Sequence, residues 1–144
     1  MIQLPPDFKE FLALLNAHNV RYLVVGGYAV GFHGYPRATG DLDVWITVDP
    51  TSAEALVNAL RTFGFDMPEL TPALFQQAGK IIRLGTPPLR IEIHTELSGV
   101  EFEECYAHRV EEDVAGESIP FIDLAHLRKN KQASHRHKDL DDLA

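Results

Sequence analysis

The chain has 144 residues, a formal net charge of −8 and one cysteine, Cys105. That length fits one domain spanning 1–144 with a sizeable core, the lone cysteine excludes an intramolecular disulfide, and the acidic balance excludes a protein that grips nucleic acid along its whole surface. No apolar run nears the roughly 20 residues that span a bilayer, and the start Met-Ile-Gln-Leu-Pro-Pro-Asp lacks the parts of a signal peptide, so the expected location is the cytoplasm, with no membrane partner.

In chain order, Phe8, Phe11, Leu12 and Leu15 fall at i, i+3, i+4 and i+7 and predict an amphipathic helix over 6–18, started by Pro5 and Pro6. A buried strand at 21–25 runs into Gly26-Gly27, which predicts a sharp turn, because glycine accepts positive φ and close backbone approach. A short helix over Tyr28–His33 follows, then a strand at 42–48 opened by Asp41 and Asp43. Thr51-Ser52-Ala53-Glu54 matches a capping box, and Ala53, Leu56, Val57 and Leu60 form the buried stripe of the helix it opens, closed by Gly64. Thr71-Pro72 predicts a short helix to about residue 77. Lys80–Leu84 and Leu89–Thr95 read as a hairpin, with Ile91 and Ile93 on one face and Arg90, Glu92 and His94 on the other. A helix over Glu101–Ala107, strands near 109–114 and 117–121, and a last helix capped by Asp123 complete the pattern. Helices and strands in this order predict an α/β (α+β) layer structure, a mixed sheet flanked by helices.

The chemistry concentrates between Tyr22 and Ile46. The period of two puts Asp41 and Asp43 on one strand face, with Cα atoms roughly 6.6 Å apart, so their carboxylates can converge on one ion. A dinucleotide fold would need Gly-x-Gly-x-x-Gly and a P-loop would need Gly-Lys-Ser/Thr; neither occurs. What remains is a glycine turn ahead of a short helix, whose N–H groups suit phosphate oxygens, beside two aspartates suited to magnesium. Glu92 is a candidate third carboxylate. Two carboxylates about 4 Å apart repel by roughly 4 kcal/mol at an effective dielectric of 20, so a cluster of three calls for cations. A dense basic cluster lies near the C-terminus at Arg128, Lys129, Lys131, Arg136 and Lys138, in which Lys131, His135 and Lys138 share one helical face.

These residues resemble the DNA polymerase beta-like nucleotidyltransferase superfamily, and within it the AbiEii-type nucleotidyltransferases of abortive-infection and toxin–antitoxin systems. Four ordered blocks carry the resemblance: Gly26-Gly27; Arg37-Ala-Thr39-Gly-Asp41-Leu-Asp43; Arg90-Ile-Glu92-Ile; and the segment from Lys131 through Arg136, Lys138, Asp139 and Asp142. The resemblance implies the nucleotidyltransferase fold, with Asp41, Asp43 and Glu92 as catalytic metal ligands for two magnesium ions. It places Gly26, Gly27, Arg37, Thr39, Lys131 and Lys138 near the nucleoside triphosphate. It further implies transfer of a nucleoside monophosphate to a hydroxyl, on a tRNA end or on a side chain of a partner toxin or antitoxin protein. The chain departs from the pattern at Glu92, where relatives carry aspartate, and in ending at Ala144 without the helical domain of larger relatives.

Other readings stand beside these. Glu92 could pair with Arg90 and His94 across an exposed hairpin face. Arg37 could close its loop on a neighbouring carboxylate, and Trp45 could pack or stack on a base. The competing function is a catalytically silent module that keeps the fold and binds a nucleotide or a partner.

Overall fold

The computed structural model describes residues 4–35, 40–86 and 90–142, with side chains through Ser134. Its elements are α1 (Pro6–Ala17), β1 (Tyr22–Val25), α2 (Gly26–Phe32), β2 (Asp41–Ile46), α3 (Pro50–Phe63), a 3₁₀ turn (Pro72–Gln76), β3 (Ile81–Leu84), β4 (Arg90–His94), α4 (Phe102–Ala107), β5 (Val110–Val114), β6 (Glu117–Phe121) and α5 (Leu124–Asp142). Six strands form one mixed sheet in the order β3-β4-β2-β1-β6-β5. β1 pairs antiparallel with β2 and parallel with β6, and β2 pairs parallel with β4. The outer pairs, β3–β4 and β5–β6, are antiparallel hairpins.

Pattern and burial agree closely. The α1 stripe of Phe8, Phe11, Leu12 and Leu15 is buried, as is every residue of the central strand β1, as expected for a strand covered on both faces. Leu42, Val44 and Ile46 of β2 enter the core, whereas Asp41 and Asp43 face the other way and stay half-buried. Trp45 shares their face but is covered edge-on by Phe102, with ring centroids 5.2 Å apart. Packing is therefore the role the structure gives Trp45.

Two boundaries differ from expectation. Helix α3 starts at Pro50, and its cap is Asp49 instead of Thr51. Proline favours the first helical position, so Pro50 sets the cap at Asp49, two residues before Thr51: Asp49 Oδ1 accepts from the Thr51 N–H at 3.1 Å, and Ser52 Oγ donates to Oδ2 at 2.8 Å. Helix α2 begins at Gly26, so both glycines form its opening turn. Gly31 sits inside the same helix, exposed, with no atom within 4 Å of an added Cβ. Gly31→Ala is therefore expected to stabilise the protein by about 0.5–1 kcal/mol through helix propensity, read as a higher urea midpoint at unchanged slope.

Helices α4 and α5 are tied by a buried histidine. His126 Nδ1 lies 2.6 Å from Asp123 Oδ1 and Nε2 lies 2.8 Å from Glu104 Oε2, with the His108 ring 5.4 Å away. Only the imidazolium donates from both nitrogens. The bond to Asp123 raises the His126 pKa against the opposing effect of burial, and the bond to His126 lowers that of Glu104. A raised histidine pKa contributes stability that is complete below the unfolded value, about 6.5, and is lost as pH rises through the folded value. The melting temperature is expected to fall as pH rises from about 6 to about 9, by less in His126→Gln, as paired thermal melts would show.

Candidate functional site

The parallel register of β2 and β4 sets Asp41 beside Arg90, Asp43 beside Glu92 and Trp45 beside His94. Two strands distant in sequence thus bring Asp41, Asp43, Glu92 and His94 onto one face. Each acid meets a basic group: Arg90 Nη2 donates to Asp41 Oδ2 at 2.8 Å, Arg83 Nε lies 3.2 Å from Glu92 Oε2, and His94 Nε2 lies 2.8 Å from Asp43 Oδ1. Arg90 Nη2 also lies 3.9 Å from Glu92 Oε1. The Asp43, Glu92 and His94 side chains are only 19%, 14% and 15% exposed. Charges there are less screened than at the open surface. Burial, and then the neighbouring Asp43 charge, raise the Glu92 pKa, while Arg83 opposes them.

Gly26 closes one side. It has φ +66°, and a Cβ built on it would lie 2.8 Å from Asp43 Cγ and 2.9 Å from Asp43 Cβ. The close approach of the β1–α2 backbone to the Asp43 carboxylate therefore requires glycine twice, for conformation and for space. The other side is closed by the segment after β4 and by α5. Gly99, at φ +79°, lies against Ala133, where an added Cβ would be 2.7 Å away, and Asn130 Nδ2 donates to Ser98 O at 3.1 Å. A cavity of about 260 Å³ results, lined by Gly26, Asp43, His94, Ser98, Asn130 and Ser134 among others.

The sequence-predicted residues are thus partly gathered. Asp41, Asp43 and Glu92 share the face, with Gly26 against Asp43 and Gly27 next to it in the half-buried opening turn of α2. Lys131 lines a separate depression of about 420 Å³ with Val30, Tyr35, Leu124, Leu127 and Arg128. Arg37, Thr39 and the side chain of Lys138 lie outside the described residues. His94, Asn130 and Ser134 received no site role from sequence. For His94 a signal existed, the period of two that places it on the Glu92 face; for the α5 pair none did.

The donor chemistry fits a divalent cation. Among the described residues, Asp43, Glu92 and His94 each offer a ligand atom, all within 4.8 Å of one another. Asp41 stands outside this grouping, held by Arg90.

Across its whole length the chain is similar to a solved structure. The crystal structure described as that of a "putative nucleotidyltransferase" from Thermotoga maritima superimposes with a TM-score of 0.70 at 14% identity, covering 98% of this chain and 92% of that one. This chain has the nucleotidyltransferase fold. No protein-family model matches it, and no curated protein matches it by sequence. Within that nucleotidyltransferase fold, the strand pair β2–β4 carries the acidic face, and α2 and α5 flank it. No helix among the described residues is long and apolar enough to cross a membrane.

Proposed function

We propose that the protein is a magnesium-dependent nucleotidyltransferase, one minimal catalytic domain acting in the cytoplasm. It moves a nucleoside monophosphate from a nucleoside triphosphate to a hydroxyl and releases pyrophosphate. The observation that carries the reading is the in-register pair Asp43–Glu92, seated against the Gly26 backbone in a nucleotidyltransferase fold. The resemblance to AbiEii-type proteins supports a toxin–antitoxin or abortive-infection setting, with a tRNA end or a partner protein side chain as acceptor. The net charge of −8 favours the protein acceptor, because phosphate contacts supply most nonspecific affinity for RNA.

In this reading the acceptor oxygen bonds to the α-phosphorus, the bond from that phosphorus to the bridging β-phosphate oxygen breaks, pyrophosphate leaves, and the proton of the acceptor hydroxyl passes to solvent water. Bound magnesium supplies charge for the attacking and leaving oxygens. Asp43 and Glu92 would hold the cation, with Asp41 as a further ligand once freed from Arg90. Arg90 and Arg83 are then placed to face the triphosphate, whose negative charge suits guanidinium groups. Gly26 and Gly27 keep the α2 opening free of side chains, so that phosphate oxygens reach its N–H groups. Lys131, Lys138, Arg37 and Thr39 complete the proposed triphosphate contacts.

The pairing of Asp41 with Arg90 and Glu92 with Arg83 favours a second reading: a silent module whose internal ion pairs replace the cations. Incubation with magnesium, each labelled triphosphate, and either total tRNA or a co-purified partner separates the two. Label transfer supports catalysis. Tight partner binding with no transfer under any condition supports the silent module.

A further inference from the structure

We propose that His94 is itself a metal ligand, so that the protein's own cation site, Asp43–Glu92–His94, takes a first-row transition ion of the manganese class in preference to magnesium. The inference deepens the proposed function and rests on its premise that this face holds a cation.

Three observations carry it. First, the donor atoms of Asp43, Glu92 and His94 lie within 4.8 Å of one another, whereas Asp41, the acid an all-carboxylate site would use, is outside the group; Arg90 engages Asp41 at 2.8 Å and Arg83 lies 3.2 Å from Glu92, so a cation would take the place of Arg83 on Glu92. Second, His94 Nε2 is the ring atom turned toward the acids, 2.8 Å from Asp43 Oδ1. An Nε2–H donated to Asp43 and a cation between the same two atoms are alternatives, because both use the single in-plane position on Nε2. Third, the register Trp45↔His94 and the packing of Trp45 under Phe102 hold this end of β4 on the sheet, so the imidazole is presented by a rigid element.

Ligand chemistry then sets the ion. Magnesium favours oxygen donors in a near-ideal octahedron and dehydrates reluctantly, whereas two carboxylates with one imidazole suit manganese, iron or zinc. Of the two cations the proposed reaction uses, magnesium would be the one brought by the triphosphate, and the ion on Asp43, Glu92 and His94 the other.

The test uses Mn²⁺ as the probe on the full-length protein, without substrate. Pulsed electron paramagnetic resonance is expected to show ¹⁴N coupling to bound Mn²⁺. In His94→Gln that coupling disappears and Mn²⁺ affinity falls roughly tenfold or more, while Mg²⁺ affinity changes by less than about threefold. Absence of ¹⁴N coupling in the natural protein, its persistence in His94→Gln, or failure to bind Mn²⁺ overturns the proposal. The wild-type spectrum decides the matter even if the variant folds poorly. The two readings fail separately: transfer lost in Asp43→Asn without nitrogen coupling leaves the enzyme and removes the His94 role. Nitrogen coupling without any transfer does the reverse.

Discussion

Asp43→Asn is expected to lower nucleotidyl transfer on the order of 10³-fold, equivalent to ~4 kcal/mol of transition-state stabilisation, while the melting temperature does not fall. Asparagine keeps the shape of the side chain and its capacity to bond His94, so the geometry around Asp43 is retained. What is lost is one negative charge at the centre of the acidic face, beside Glu92 in the register. That loss weakens a bound cation and relieves the repulsion that helps raise the Glu92 pKa. Activity and stability therefore move apart, the behaviour of a group placed for function at a cost to the fold. Rates of label transfer and thermal melts, run side by side, check this; a parallel loss of both would mark Asp43 as structural.

Gly26→Ala is expected to act on both. Alanine at φ +66° costs about 1–2 kcal/mol in backbone conformation, and its methyl group would meet the Asp43 carboxylate, whose Cγ is 2.8 Å from the built Cβ. Either Asp43 rotates or the β1–α2 turn retreats, and each displaces the proposed ligand. A misplacement near 1 Å lowers rates about 10²-fold in a positioned site, so transfer should fall at least that far, with a loss of roughly 1–3 kcal/mol in stability. Chemical denaturation and initial rates measure the two effects. The contrast with Gly31→Ala is informative, because both glycines lie in α2 and only one has a neighbour to meet.

The same two residues mark how far the sequence could be read. Gly26-Gly27, Asp41 and Asp43 are close in the chain, and their joining is a matter of local periodicity and one turn. The face of Glu92 follows likewise from the alternation along Arg90–His94. Periodicity could not say that β4 inserts between β3 and β2, because strand order depends on nonlocal packing. Without that order, the pairing of His94 with Asp43, 51 residues apart, was out of reach. Asn130 and Ser134 join the cavity because Gly99 lets the backbone after β4 sit against Ala133 of α5, a contact with no local pattern. Trp45 shows the converse: its face was readable, and its burial was decided by Phe102 from a distant helix. The shift of the α3 cap to Asp49 is a local matter that Pro50 already signalled.

The central claim, nucleotidyl transfer at the Asp43–Glu92 face, is tested most directly by supplying the same triphosphate labelled at the α- or at the γ-phosphate. With a divalent cation and the acceptor fraction, the account predicts that α-label becomes covalently bound to acceptor, while γ-label leaves as pyrophosphate in matching amount, and that Asp43→Asn stops both. Transfer of γ-label, or release of label without a labelled acceptor in any fraction, would contradict it.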